Sequence, residues 1–401
     1  MNQFWLVRAG SFVLAFAFAF ALDAAFGGGG YAQRLVMLAA LWVTLAVSLN
    51  LINGITGQFS MGHAGFYAVG AYTAAILTTL NPALAEQNKL AWLLLMIPTG
   101  ALVGAIAGFV VGVPSLRLRG DYLAIVTLGF GEIVRIVAQN INIKTPKGDV
   151  GGAYGFTLDV KLTAVWVAWM LAIAVIAICR NLLRTAHGLA FLAVREDEVA
   201  ALAMGVNVTR TKVTAFVIGS AMAGAAGAIL ALFEGRASPD MFTMDQSFIV
   251  VTMVVLGGTG SITGSVLAAL LLFYLPEKTR ELSNMPISSV AGLFIGIGVA
   301  VSLARMIQQR YHGPVAQRIG LNFGAIGAGV VTMAVIGFVL QQVPAIAAQP
   351  LVAGAKLRMV VFAIVLIVLM LLRPQGVLGH HEFSWDWVRR TLFRKPAEVP
   401  A

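Results

Sequence analysis

Two charged residues sit inside an apolar stretch of this chain. They are Glu132 and Arg135, in Gly129-Phe130-Gly131-Glu132-Ile133-Val134-Arg135. A spacing of three puts both on one face of a helix, where they can pair. Charges at such depth in a membrane cost on the order of a few kcal/mol and turn towards a bundle interior or a water-filled cavity. Lining of a solute pathway and a structural pair that fixes helix packing are both open readings. Two glycine-rich interruptions accompany the pair. One is Gly54-Ile55-Thr56-Gly57-Gln58-Phe59-Ser60-Met61-Gly62-His63-Ala64-Gly65, and the other is Gly257-Gly258-Thr259-Gly260-Ser261. Broken backbone at membrane depth is tolerated only where it is buried in protein or lines an aqueous cavity. One break in each half of a chain points to a transport route, while close helix packing through small residues is the competing reading. Gly57, Ser60, Gly62, His63, Glu132, Arg135, Gly257, Gly258 and Gly260 are therefore the translocation-pathway candidates. Catalytic chemistry has no such support. No Gly-x-x-x-x-Gly-Lys-Ser/Thr loop is present to hold a nucleotide phosphate, and no acid–base pair is evident. The five histidines lack metal-ligand spacing, and His380-His381-Glu382 reads as a solvated tail. We expect no catalytic residues and no metal site.

The elements that must position these residues follow from composition. The 401 residues are 59% hydrophobic and 11% charged, with a mean hydropathy of +0.88. Soluble domains are closer to about 25% charged. Neither a soluble fold nor a disordered chain fits, so lipid must cover the surface. Apolar stretches fall at about 9–26, 35–53, 63–80, 90–112, 121–140, 162–179, 212–233, 248–275, 287–304, 323–343 and 357–372. Arg8 and small residues after position 23 give the first stretch some signal-peptide character, but the charge count is better served if it stays as a helix. Lys and Arg gather in loops 113–120, 180–212 and 305–318 and in the tail, which marks these as cytoplasmic. Loops 81–89, 141–161 and 234–247 then lie outside. Both termini fall inside only if 248–275 enters and leaves on one side, as two half-helices hinged at Gly257–Gly260. The expected architecture is an all-α polytopic membrane protein of about ten transmembrane helices plus a re-entrant broken pair. Residues 1–373 form the membrane domain and 374–401 a cytoplasmic tail. Asp23, at the outer end of the first span, reads as a solvated terminus. The net charge of +10 suits anionic lipid at the inner surface rather than nucleic acid. The single cysteine, Cys179, lies in an apolar run and makes no disulfide framework.

The 180–212 loop contains Arg195-Glu196-Asp197-Glu198-Val199-Ala200-Ala201-Leu202-Ala203-Met204-Gly205. It reads as one short helix with acids at its N-terminal end, where the dipole favours them, and a glycine stop. Its small apolar face suits either the membrane surface or a cytoplasmic partner.

Taken in order, several segments resemble the branched-chain amino acid ABC transporter permease family, and the LivM-type membrane subunit in particular. They are Gly57 to Phe66, Gly70 to Ala75, Leu116 to Tyr122, Gly129 to Arg135, Val194 to Thr209, Val255 to Ser261, and Arg373 to Gly379. The resemblance implies an ABC importer permease that carries branched-chain or related small amino acids and amides across the inner membrane. It would bind no cofactor itself, because ATP is bound by partner subunits. The implied partners are a second permease subunit, two cytoplasmic ATP-binding subunits and a periplasmic substrate-binding protein. Arg195, Glu196, Asp197, Glu198, Ala201 and Gly205 become the implied ATPase-coupling residues. Two features depart from the family pattern: the outer loop Lys147 to Phe156, and an insertion at about 285–355 carrying two apolar stretches. The alternative function is an ion-coupled secondary transporter of small polar solutes. That class more often carries several acids within its spans and needs no ATPase-docking helix.

Overall fold

In the computed structural model, residues 2–115, 121–145, 148–158, 161 and 164–282 are described, with short stretches between 295 and 339. The tail 374–401, most of the 285–355 insertion, the basic residues Arg117 and Arg119, and Lys147 lie outside them. The chain divides into two compact units, of which the first runs to Phe273 and contains every candidate site residue.

The first helices are α1 (Asn2–Phe26), α2 (Tyr31–Asn50), α3 (His63–Leu80), α4 (Pro82–Gln87), α5 (Lys89–Ser115) and α6 (Asp121–Asn140). Strands β1 (Asn142–Thr145), β2 (Gly148–Gly151) and β3 (Phe156–Thr157) follow. After them come α7 (Val165–Leu182), α8 (Ala186–Glu196), α9 (Glu198–Ala203), α10 (Val208–Glu234) and β4 (Arg236–Ala237). The last two helices are α11 (Met244–Gly257) and α12 (Ile262–Leu282). Among the described residues six helical segments are long and apolar enough to cross a membrane: Tyr31–Ile55, Lys89–Pro114, Tyr122–Asn140, Val165–Leu182, Val208–Glu234 and Pro239–Gly257. The expected total of ten depends in part on 287–304 and 357–372, which fall mostly or wholly outside the described residues, and on 323–343, where Gly327–Ile336 is a short apolar helix.

Helix α10 is the hub. It is buried almost continuously from Ala215 to Leu232 and packs on α5 and α3. The reason is its small residues. In lipid no hydrophobic force distinguishes one helix from another, so close backbone approach and dispersion hold helices together. Gly224 sits against Gly100 and Gly104 of α5, and Gly70 of α3 sits against the Gly224 carbonyl. Helix α1 lies on α7 through aromatic contacts, with Phe18 edge-on to Trp169 (5.4 Å) and Phe20 stacked on Trp166 (5.1 Å).

Asp23 is more than a solvated terminus. Its Oδ1 accepts hydrogen bonds from the backbone N–H groups of Val165 (2.9 Å) and Trp166 (3.4 Å). It thereby caps α7, whose N-cap residue is Ala164 and has no polar side chain to offer. The cap comes from 142 residues away in sequence, and nothing local announces it.

At one end of the unit two of the three loops expected outside, 141–161 and 234–247, are joined. Strands β1 and β2 form a hairpin, and β3 pairs antiparallel with β4, Phe156 opposite Ala237. Arg34 Nε donates to Glu234 Oε1 at 2.7 Å beside them. The other end carries the 180–212 loop. The single helix expected over 195–205 is two helices that meet at Asp197. That residue is extended, and its Oδ1 accepts from the Val199 (2.8 Å) and Ala200 (3.0 Å) N–H groups, which makes it the N-cap of α9. Arg195 and Glu196 therefore close α8. Gly205, at φ +84°, ends the α9 turn in the left-handed conformation that suits glycine.

Candidate functional site

Helix α2 does not stop at Asn50 but widens into a π-helical turn, Leu51–Ile55. Such turns insert an extra residue per hydrogen-bonded ring and often mark functional sites. The chain then reverses through an irregular, largely buried segment, 56–62. The Asn53 side chain stands in for a missing strand. Its Nδ2 donates to Ser60 O (3.0 Å) and its Oδ1 accepts from Ser60 N (3.1 Å). Where α3 begins, His63 Nε2 shares a 2.7 Å hydrogen bond with Ser48 Oγ. Ser48 lies seven residues before Ile55, so the segment climbs back roughly 10 Å from the end of the π turn. Helix α3 thus starts inside the unit and not at its surface.

Two further helices hold that start. Met61 N donates to Thr127 Oγ1 of α6 (3.0 Å), and Ala64 N donates to Ser247 Oγ of α11 (3.1 Å). Gly62 makes the contact with α6 possible, since a Cβ there would collide with the Thr127 carbonyl. A narrow crevice beside this junction is lined by Ala64, Gly131, Glu132, Met244 and Ser247. Glu132 pairs with Arg135, whose Nε and Nη2 both reach Glu132 Oε2 at 2.8 Å. The pair expected from sequence is formed. Both side chains keep some exposure, on a helix whose Ile125, Ile133 and Val137 are open to the surroundings.

The second break lies between α11 and α12. Gly258 (φ +105°) and Gly260 (φ +93°) adopt the backbone that lets the chain reverse there, and Gly257 packs on Gly264 across the turn. The two breaks touch. Asn50 Oδ1 accepts from Gly260 N (2.9 Å), and Gly54 leaves no room between them for a Cβ. The pathway candidates from the two halves are therefore brought into one column. It runs from Gly57 and Gly260 at one end, through Ser60 and Gly62, to His63 and the crevice at Glu132. Among the described residues, Asn50 Nδ2, Ser60 Oγ and His63 Nδ1 along this column are buried and meet no hydrogen-bond partner, and the same holds for Tyr72 Oη on α3. Buried polar atoms of this kind cost about 1–3 kcal/mol each.

The coupling candidates do not stay together. Glu198, at the start of α9, forms an ion pair with Lys212 of α10, and the Lys212 carbonyl accepts from Gln58 Nε2 (3.2 Å). Ala201 is buried under α9. Val199, Leu202 and Met204 are exposed, Met204 at 84%. Arg195 turns the other way, towards the column. A surface groove of about 410 Å³ between α8 and α10, with His187 and Arg210 in its lining, is lined by none of these residues. Among the described residues, no group of three or more His, Cys, Asp or Glu could hold a metal ion.

Several contributors were missed from sequence: Ser48, Asn50, Asn53, Thr127 and Ser247. Each is a polar residue in an apolar segment, a signal that was available but shared with many hydroxyls that bond back to their own helix, such as Thr73 and Thr79.

A family model described as branched-chain amino acid transport system, permease component, matches residues 31–299. The high-affinity branched-chain amino acid transport system permease protein LivM of Salmonella typhimurium is 37% identical over 287 residues, 64% of this chain and 66% of that protein. LivM of Escherichia coli matches to the same extent. The permease protein LivH of Salmonella typhimurium is 26% identical over 254 residues, 59% of this chain and 81% of that protein. The match thus spans just under two thirds of the LivM relatives' length. No solved structure matches the chain significantly.

Proposed function

Because the chain belongs to the family of branched-chain amino acid transport permease components, we propose that it is the membrane subunit of an ATP-driven importer. Its cargo is branched-chain amino acids or related small amino acids and amides, carried across the bacterial inner membrane. The observation that carries this reading is the joining of two buried chain breaks to a helix with an exposed apolar tip. Irregular backbone at depth is tolerated where it is buried or lines an aqueous cavity and typically builds transporter sites, and a pump driven by separate ATP-binding subunits needs a surface through which force arrives.

The tip of α9 is that surface. Val199, Leu202 and Met204 project from a helix held at its base by the Asp197 cap and the Glu198–Lys212 pair. A cytoplasmic ATP-binding subunit docks there, one of two in the assembly, and ATP is bound by those subunits. A second permease subunit covers α6, since Glu132 and Arg135 retain exposure that hydrocarbon would penalise. A periplasmic substrate-binding protein delivers cargo to the end built from β1–β4. Both termini lie in the cytoplasm.

Two experiments test this reading. In a Cys179→Ala background, Tyr154→Cys at the β1–β4 end is expected to react with an impermeant maleimide from the periplasmic face. Met204→Cys is expected to react only after the membrane is opened. Reaction of Met204→Cys from outside would invert the topology. For docking, Leu202→Asp is expected to remove the ATP-binding subunits from the purified complex while leaving the permease in the membrane. Full retention of those subunits would take α9 out of the contact.

A further inference from the structure

We propose that Arg195 is the positioning residue that links the cytoplasmic arm to both chain breaks, and that it acts from inside the permease, not by touching the ATP-binding subunit. The inference rests on the importer reading above but makes a separate claim about where this side chain works.

The geometry is specific. Arg195 and Glu196 are neighbours at the end of α8, yet their side chains are 26% and 72% exposed. Glu196 faces outward. Arg195 folds in, with Nε and Nη2 held by Glu196 Oε1 at 3.0 and 2.6 Å. That two-nitrogen grip uses one edge of the planar guanidinium and aims the remaining nitrogen. Nη1 donates to the carbonyl of Gly54, in the π turn of α2, at 3.4 Å. Gly57 lies against the Arg195 stem, so that a Cβ there would stand 3.0 Å from Cγ. Gly260, in the other break, lies against Nη1, where a Cβ would stand 2.8 Å away. One guanidinium therefore meets the end of α8, the π turn and the α11–α12 reversal. Glycine at 57 and 260 leaves it a channel free of side chains.

This placement makes the arm and the breaks move together. Asp197, two residues after Arg195, caps α9, so displacement of the α9 tip is felt directly at Arg195. Gly54 and Gly260 are already joined through Asn50. A pull on Arg195 therefore acts on both breaks at once. Arginine suits the task because it stays charged and can hold a carboxylate and a carbonyl together, whereas lysine offers a single point of attachment.

The test uses the whole transporter, with its partner permease and ATP-binding subunits, in proteoliposomes supplied with binding protein. Arg195→Ala is expected to keep the ATP-binding subunits and to hydrolyse ATP within about twofold of the parent. Its uptake per ATP is expected to fall by about tenfold or more, within the usual range of coupling between sites. Arg195→Lys should recover only part of that loss. A conformational readout accompanies these measurements. With Ser60→Cys in the Cys179→Ala background, trapping the complex with ATP and vanadate should change thiol reactivity in the parent but not with Arg195→Ala. Parental uptake per ATP with Arg195→Ala, or a trapping response of the Ser60→Cys thiol that survives Arg195→Ala, overturns the proposal. So does loss of the ATP-binding subunits from Arg195→Ala, which would make Arg195 an ordinary contact residue. Failure of the docking reading is read separately, from Leu202→Asp.

Discussion

Gly224→Leu is expected to deplete the folded permease from the membrane, as judged by the amount of detergent-extracted protein that stays monodisperse. Gly224 is where α10 meets both α5 and α3 at close range. A Cβ at this position would overlap the Gly100 carbonyl oxygen and stand 3.1 Å from the Gly104 Cα, and Gly70 of α3 presses on the Gly224 carbonyl from another side. These neighbours are backbone atoms, which cannot swing aside as a side chain can. Adding even one methylene to a well-packed core costs about 1–3 kcal/mol and sometimes more. Leucine adds an entire branched side chain where helix association depends on close backbone approach. Gly129→Leu is the matched control, because a Cβ there meets nothing within 4 Å. It is expected to leave the yield unchanged. Equal yields from the two variants would mean that the packing of α10 on α5 and α3 is misplaced.

Gly62→Leu is expected to act differently, abolishing uptake while leaving the amount of inserted protein close to that of the parent. Gly62 lies at the top of the reversing segment, where its added Cβ would strike the Thr127 carbonyl of α6. Its own backbone, at φ −97°, is one that any residue adopts. The penalty therefore comes from the neighbour, and α6 must move outward to relieve it. That movement breaks the Met61–Thr127 hydrogen bond and widens the contact of Gly65 with Gly131. The hub of α10, α5 and α3 is not touched, so folding survives. Loss of one buried hydrogen bond together with a shifted α6 is expected to reduce uptake at least about tenfold, equivalent to about 1.4 kcal/mol. Gly62→Ala should fall between the two. Uptake by Gly62→Leu at the parental rate, normalised to inserted protein, would remove the 56–62 segment from the route.

The legible parts of the fold were the local ones. Hydropathy alone located α2, α5, α6, α7 and α10. The glycine runs located both breaks, because glycine is the residue that permits φ +105° and +93° at Gly258 and Gly260. The Glu132–Arg135 pair was legible because i,i+3 spacing on a helix leaves the two groups adjacent. What sequence did not reveal was which distant segments meet. Asp23 caps a helix beginning at Val165, Asn50 bonds to Gly260, and Arg195 reaches Gly54. Each contact spans more than a hundred residues, and no periodicity encodes it. The division of 195–205 into two helices was a different failure. Asp197 is a strong N-cap residue, and reading it as such would have started α9 at Glu198 and freed Arg195 to turn inward. The dipole argument placed the acids correctly at a helix start but put that start too early.

The measurement that bears most directly on the central claim is solute uptake by the reconstituted assembly with and without ATP. Proteoliposomes carrying this chain with its partner permease and ATP-binding subunits would be supplied with the binding protein and radiolabelled leucine. We expect accumulation against a gradient when ATP is inside the nucleotide-accessible compartment, none with a non-hydrolysable analogue, and no effect of collapsing the proton and sodium gradients. Accumulation that persists without ATP and disappears when the ion gradients are collapsed would contradict the account and make this chain a secondary transporter.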